Sequence, residues 1–124
     1  MTVPFLLVLT HFVSDFVLQS EWQANNKSKN IYALASHVGT YTLGLLGFIL
    51  LTCTSFHYFV AGLLWVLVNG GLHFLTDYYT APINTDLITL AKETGKYHNF
   101  FVNVGMDQVI HYGCLFYSYQ WMFL

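Results

Sequence analysis

The sequence predicts an all-α fold, a four-helix transmembrane bundle, on three observations. Of the 124 residues 56% are hydrophobic and only 8% charged, where a soluble domain carries about 25% charged residues. Four apolar stretches each approach the ~20 residues needed to cross a hydrocarbon core. The connectors between them hold a few polar residues each, so residues 1–124 read as a single membrane domain without repeats or low-complexity runs. So few charges cannot cover a soluble surface of this size.

The first helix is expected over residues 2–20. It has no basic leader and no small-residue cleavage pattern, and it carries His11 and Asp15, so it reads as a retained helix and not a secretion signal. The second is expected over 31–53, where Ala35 and Gly39 at small-x-x-x-small spacing suit close packing within a subunit or in a homo-oligomer. The third is expected over 58–79. After it, Ile83–Lys92 sets Ile83, Leu87, Ile88 and Leu90 among polar neighbours, and reads as a short interfacial helix or an ordinary loop. The fourth is expected over 99–124. Cys53 and Cys114 fall in apolar segments outside any CxxC pair and read as small buried hydrophobes.

The basic residues are Lys27, Lys29, Lys92 and Lys96, all in the first and third connectors. Positive residues are retained on the cytoplasmic side. Both termini are therefore expected outside a bacterial inner membrane, with the lysine side facing the cytoplasm. Trp22, Tyr32, Tyr78, Tyr79 and Tyr97 cluster at the same helix ends, where amphipathic rings favour the interface. The lipid bilayer is the expected partner, and no nucleic acid is.

Three acids lie within the apolar stretches, each four positions from a histidine: His11 with Asp15, His73 with Asp77, and Asp107 with His111. That spacing puts both side chains on one helix face. A carboxylate at mid-membrane costs roughly 2.5–3.5 kcal/mol on the mildest scale. Divalent cations shared with imidazoles offset that cost, and His37 on the second helix adds a ligand at the same depth. The seven candidates, His11, Asp15, His37, His73, Asp77, Asp107 and His111, exceed what one zinc ion takes, which points to two ions sharing a carboxylate. Without thiolate the set suits zinc foremost, and iron or manganese as well. Gln19, Tyr41, Asn69, Asn103 and Gln108 extend the same stripes and are candidates to orient the ligands. His57 and His98 lie at helix ends and read as interfacial.

The order His11-x-x-x-Asp15-x-x-x-Gln19, Trp22, Lys27, His37, His73-x-x-x-Asp77-Tyr and Asp107-Gln108-x-x-His111 resembles an uncharacterised family of small bacterial and phage membrane proteins. Val17 stands where that family tends to have proline, a change expected to alter local helix geometry and not the ligands. The resemblance implies the site and no activity. More loosely, the His-x-x-x-Asp pairs are similar to those of membrane-bound metal-dependent hydrolases and of all-helical zinc phospholipases and nucleases.

The leading expectation is a membrane-embedded di-metal hydrolase of a phosphoester or phosphoanhydride, lipid-linked or nucleotide, approached from the cytoplasm. Asp15, Asp77 and Asp107 are the candidate catalytic carboxylates, one bridging the ions or accepting a proton from water. Lys27, Lys29 and Lys96 are placed to attract an anionic substrate. The alternatives are a divalent-ion carrier or channel, disfavoured by the apolar outward halves of the helices, and a partner-binding protein with a structural metal.

Overall fold

The computed structural model describes residues 3–124. Helix α1 (Val3–Phe12) runs directly into a π-helical turn, Val13–Val17, that carries Asp15. Leu18 N–H closes that turn on Val13 O, five residues back, at 2.9 Å. Such turns open the helix locally and recur at functional sites. The first helix therefore ends at Val17, short of residue 20, and Leu18–Ser20 redirect the chain.

The connector that follows is folded. Helix α2 (Glu21–Asn26) starts with a capping box: Ser20 Oγ accepts from Gln23 N–H at 3.2 Å, and Gln23 Oε1 accepts from Ser20 N–H at 2.9 Å. The Gln23 amide then donates to Ser36 Oγ and Thr40 Oγ1, at 2.9 and 3.0 Å, and so pins α2 onto the next helix. Helix α3 (Ile31–Thr52) is capped by the Asn30 side chain and matches its expected span to one residue.

Helix α4 is much longer than expected, running unbroken from Phe56 to Thr94 over 39 residues, or about 58 Å. It passes through Pro82 and absorbs the segment Ile83–Lys92, which is neither a separate interfacial helix nor a loop. Proline removes one intrahelical bond, and tertiary contacts hold the helix beyond it. Ala91 is buried and Asn103 Nδ2 donates to Asn84 Oδ1 at 2.7 Å. Termination falls at Gly95, whose φ of 72° gives the left-handed cap that glycine adopts without strain. Helix α5 spans His98–Phe123, within a residue of expectation.

The long helices close a ring in which α1 lies against α3 and α5, α3 against α4, and α4 against α5. Away from the polar residues the interior is filled by Leu7, Leu45, Phe48, Ile49, Trp65, Val66 and Leu115. Helices approach most closely at glycine: a Cβ on Gly44 would stand 2.0 Å from Ser14 Oγ, so α3 presses against the π turn beside Asp15. Ala35 and Gly39 are exposed and form no such seam within the chain.

Two helices, Ile31–Thr52 and Phe56–Thr94, are long and apolar enough to cross a membrane. The first helix with its π turn covers residues 3–17, about 22 Å, less than a ~30 Å hydrocarbon core. Helix α5 is long enough but is diluted by Asn99, Asn103, Asp107, Gln108 and His111.

Candidate metal centre

The seven side chains singled out by spacing meet in the bundle interior, none more than 8% exposed. Their shortest contacts cross between helices. His37 Nε2 of α3 lies 3.0 Å from Asp15 Oδ1 of the π turn and 3.3 Å from Asp77 Oδ2 of α4. His73 Nε2 lies 3.4 Å from Asp15 Oδ1, and His111 Nε2 of α5 lies 3.4 Å from Asp77 Oδ1. Within the pairs the separations are longer: 3.5 Å for His11–Asp15, 3.6 Å for His73–Asp77 and 3.7 Å for His111–Asp107. Three private ion pairs would show the opposite order. The acids are shared.

Two groups could each hold a metal ion: Asp15, His37, His73 and Asp77, and then Asp77, Asp107 and His111. In the first, His37 Nε2 and His73 Nε2 stand 3.1 Å apart, so with the carboxylate oxygens five ligand-to-ligand separations fall between 3.0 and 3.6 Å. Ligands ~2.0 Å from a tetrahedral ion stand about 3.3 Å apart. One N–H cannot serve acceptors arranged in this way, whereas a cation among them can. Asp77 belongs to both groups and turns a different oxygen to each, Oδ2 to His37 and Oδ1 to His111.

Neighbours fix some ligands firmly. His111 Nδ1–H donates to the Asp107 carbonyl at 2.9 Å, leaving Nε2 of the neutral ring as a lone pair that has no hydrogen-bond partner among the described residues. Thr80 Oγ1–H donates to Asp107 Oδ1 at 2.5 Å, and Gln108 Nε2 donates to Asp107 Oδ2 at 3.1 Å. The Tyr41 ring stacks on His73 with centroids 3.9 Å apart. Nδ1 of His37 and of His73 is buried with no hydrogen-bond partner among the described residues, so packing and the contacts of Nε2 set those rings.

Thr80 supplies the most direct check on the three-residue group, because valine keeps its shape and removes the hydroxyl. Thr80→Val is expected to weaken zinc binding at the three-residue group by about tenfold, the scale of a lost outer partner, and to leave binding at the four-residue group unchanged in a calorimetric titration.

Several residues sit elsewhere than their spacing implies. His11 belongs to neither group. Its Nε2–H donates to Gln108 Oε1 at 3.0 Å and its Nδ1 accepts from Tyr41 O–H at 3.2 Å, so both ring nitrogens are engaged in a chain that runs through Gln108 to Asp107. Asn69 donates to Trp65 O and Ser118 Oγ, one turn away from the ligands, and Asn103 bonds Asn84. Neither orients a ligand. Gln19 lies past the π turn with a buried Oε1 that meets no partner among the described residues. Tyr41 and Gln108 do contact site residues.

The lysines separate just as clearly. Lys27, expected at the rim, reaches into the first group: Nζ lies 2.8 Å from Asp77 Oδ2, 3.2 Å from His37 Nε2 and 4.0 Å from Asp15 Oδ1. Lys29 is exposed and lines a neighbouring groove. Lys96 follows the end of α4, some 25 Å along the axis from Asp77, and borders no opening to the site. Gln23 and Thr80 make supporting contacts, to α3 and to Asp107, that spacing did not single out. The Ser20-x-x-Gln23 capping pattern was the available signal for the first; for Thr80 only its place one turn before Asn84 on the same helix could have served.

Fold and site together define an all-α protein of four main helices whose interior His/Asp centre can hold metal ions. The chain belongs to the family described as "Protein of unknown function (DUF3307)", matched over residues 3–124. No curated protein and no solved structure matches it.

Proposed function

We propose that the chain is a membrane-embedded, di-metal hydrolase of a phosphoester or phosphoanhydride. The observation that carries this reading is Asp77, whose two oxygens face two adjacent ligand groups. The groups differ in a telling way. Four side chains would supply the first ion with the ligand number of a closed zinc site, whereas Asp77, Asp107 and His111 would supply three to the second, the number typical of catalytic sites with a position open to water or substrate. Two divalent ions there would lower the pKa of a bound water and hold the substrate oxygens.

The chain's own residues supply the rest. Asp107 is the most exposed of the three acids, at 8%, and bonds from Thr80 and Gln108 hold its carboxylate in place, which positions it to take the proton as water attacks phosphorus. The P–O bond to the leaving group breaks in that step, and the departing oxygen recovers a proton. Lys27 neutralises negative charge beside Asp77. Three carboxylates set against two divalent ions and one ammonium leave two positive charges unmatched, which suits a phosphate dianion.

Membrane residence is supported by the outer surface as well as by the two apolar helices. Leu43, Leu51, Leu67, Val109 and Trp121 are each at least 62% exposed, and water would penalise them where lipid would not. The exposed tyrosines Tyr32, Tyr78, Tyr79 and Tyr97, with Trp22, lie toward the lysine-bearing end, in keeping with a site opening to the cytoplasm and both termini outside. A transit pathway for ions is the weaker reading, because the apolar cluster from Leu7 to Leu115 fills the bundle beyond the centre.

Elemental analysis of the purified protein, paired with hydrolysis of p-nitrophenyl phosphate, tests the reading. Two zinc, iron or manganese ions per chain and activity abolished by chelation are expected. One ion or none per chain overturns it, and two ions without hydrolysis of any phosphoester leave a structural metal as the answer.

A further inference from the structure

We propose that the substrate is a lipid-linked phosphate or pyrophosphate, its headgroup drawn to Lys27 and its hydrocarbon tail laid in a groove between α3 and α4. The proposal rests on the hydrolase reading above and names its substrate class. The groove has a volume of about 600 Å³ and is bounded by the α2–α3 connector, the first turn of α3 and α4 around Pro82. Lys27 and Lys29 are among its lining residues, and none of the lining residues is acidic. Leu34 is buried beneath, while Ile31 and Ile83 form walls that are 49% and 48% exposed.

Lys27 joins this groove to the metal-ligand cluster. It lines the groove, and its Nζ touches Asp77 Oδ2 and His37 Nε2. A headgroup anion bonded to that ammonium from the groove side is thereby brought beside Asp77, the residue shared with the three-ligand group that has a position open to substrate. The unmatched double positive charge of a filled centre attracts a phosphate or pyrophosphate in particular. The apolar part of the lining, Ile31, Leu34, Pro82 and Ile83, rewards a hydrocarbon chain, while Ser28, Asn30, Tyr78 and Tyr79 add polar groups suited to a headgroup. A larger groove at the opposite end, about 770 Å³ between Val3 and Leu124, has no charged lining residue, so it offers an anion nothing.

The test uses the full chain in phosphatidylcholine nanodiscs loaded with zinc, and three probes: farnesyl pyrophosphate, inorganic pyrophosphate and ADP. Wild type is expected to prefer farnesyl over inorganic pyrophosphate, and the paired substitutions Ile31→Glu and Ile83→Glu are expected to reduce that preference at least tenfold. Comparing variants cancels the probe's own partition into lipid. Zinc content reports whether the altered protein keeps its centre, and Ile83→Ser alone, expected to lose about threefold, serves if the double change does not fold. An unchanged preference in either folded variant overturns the groove, as does ADP or inorganic pyrophosphate binding as tightly as the farnesyl probe. Phosphate release separates the two proposals. Cleavage of p-nitrophenyl phosphate with an unchanged preference defeats the groove alone, and groove-dependent binding with no release from any probe defeats the hydrolase alone.

Discussion

Asp77→Asn is expected to reduce bound zinc from two ions to at most one and to lower phosphoester hydrolysis by more than ~100-fold. Losing an outer-shell partner typically costs 10–100-fold, and Asp77 is placed as a ligand to both groups. Its Oδ2 lies 3.3 Å from His37 Nε2 and its Oδ1 3.4 Å from His111 Nε2. Asparagine keeps the shape but presents one oxygen and one NH2, so at least one group loses a ligand and both lose the shared negative charge. The same change strips Lys27 of its shortest contact, the 2.8 Å bond to Asp77 Oδ2. Breaking a buried pair costs about 3–5 kcal/mol, so the metal-free variant should also melt lower. Asp86, exposed on the same helix, supplies the control, and Asp86→Asn should change neither zinc content nor rate. Two zinc ions retained in Asp77→Asn would remove Asp77 from the bridge.

What spacing made legible was the set of buried acids and imidazoles. Four-residue steps keep side chains on one face, and the cost of burying Asp15, Asp77 and Asp107 demanded partners. That logic placed His37 among them although no acid lies beside it on α3, and its Nε2 indeed sits between Asp15 and Asp77. The same logic could not separate His11 from its counterparts. Its role depends on Gln108, 97 residues away, which is a matter of packing and not of period. Asn69 shows a second limit: the four-residue step back from His73 along α4 is about 6 Å of axial rise, enough to exchange the ligand level for Ser118. Pro82 lacks a donor, yet the bond between Asn84 and Asn103 and the buried Ala91 carry α4 past it, and past the expected end at residue 79, to Gly95. Tertiary contact outweighs one missing bond.

Lys27 is where a folded connector changes the chemistry most. Seen as a residue between helices, it belongs at the rim; with α2 pinned to α3 through Gln23, its ammonium lands among the ligands, with its side chain 19% exposed. It therefore competes with a divalent ion for Asp77 Oδ2 and His37 Nε2, at 2.8 and 3.2 Å. Lys27→Met keeps the apolar stem and removes the charge. Without metal, the variant holds buried carboxylates that have lost their nearest cation, a defect worth about 3–5 kcal/mol. With metal, that defect is relieved and a repulsion is gone. Zinc should accordingly raise the melting temperature of Lys27→Met by more than it raises that of wild type, since stabilisation grows with the ratio of ion concentration to Kd. Hydrolysis should move the other way and fall, because the group that draws the anion has been removed. Equal zinc-induced shifts in the two proteins would show that ammonium and ion occupy separate places, and a rate that rises would take Lys27 out of substrate binding.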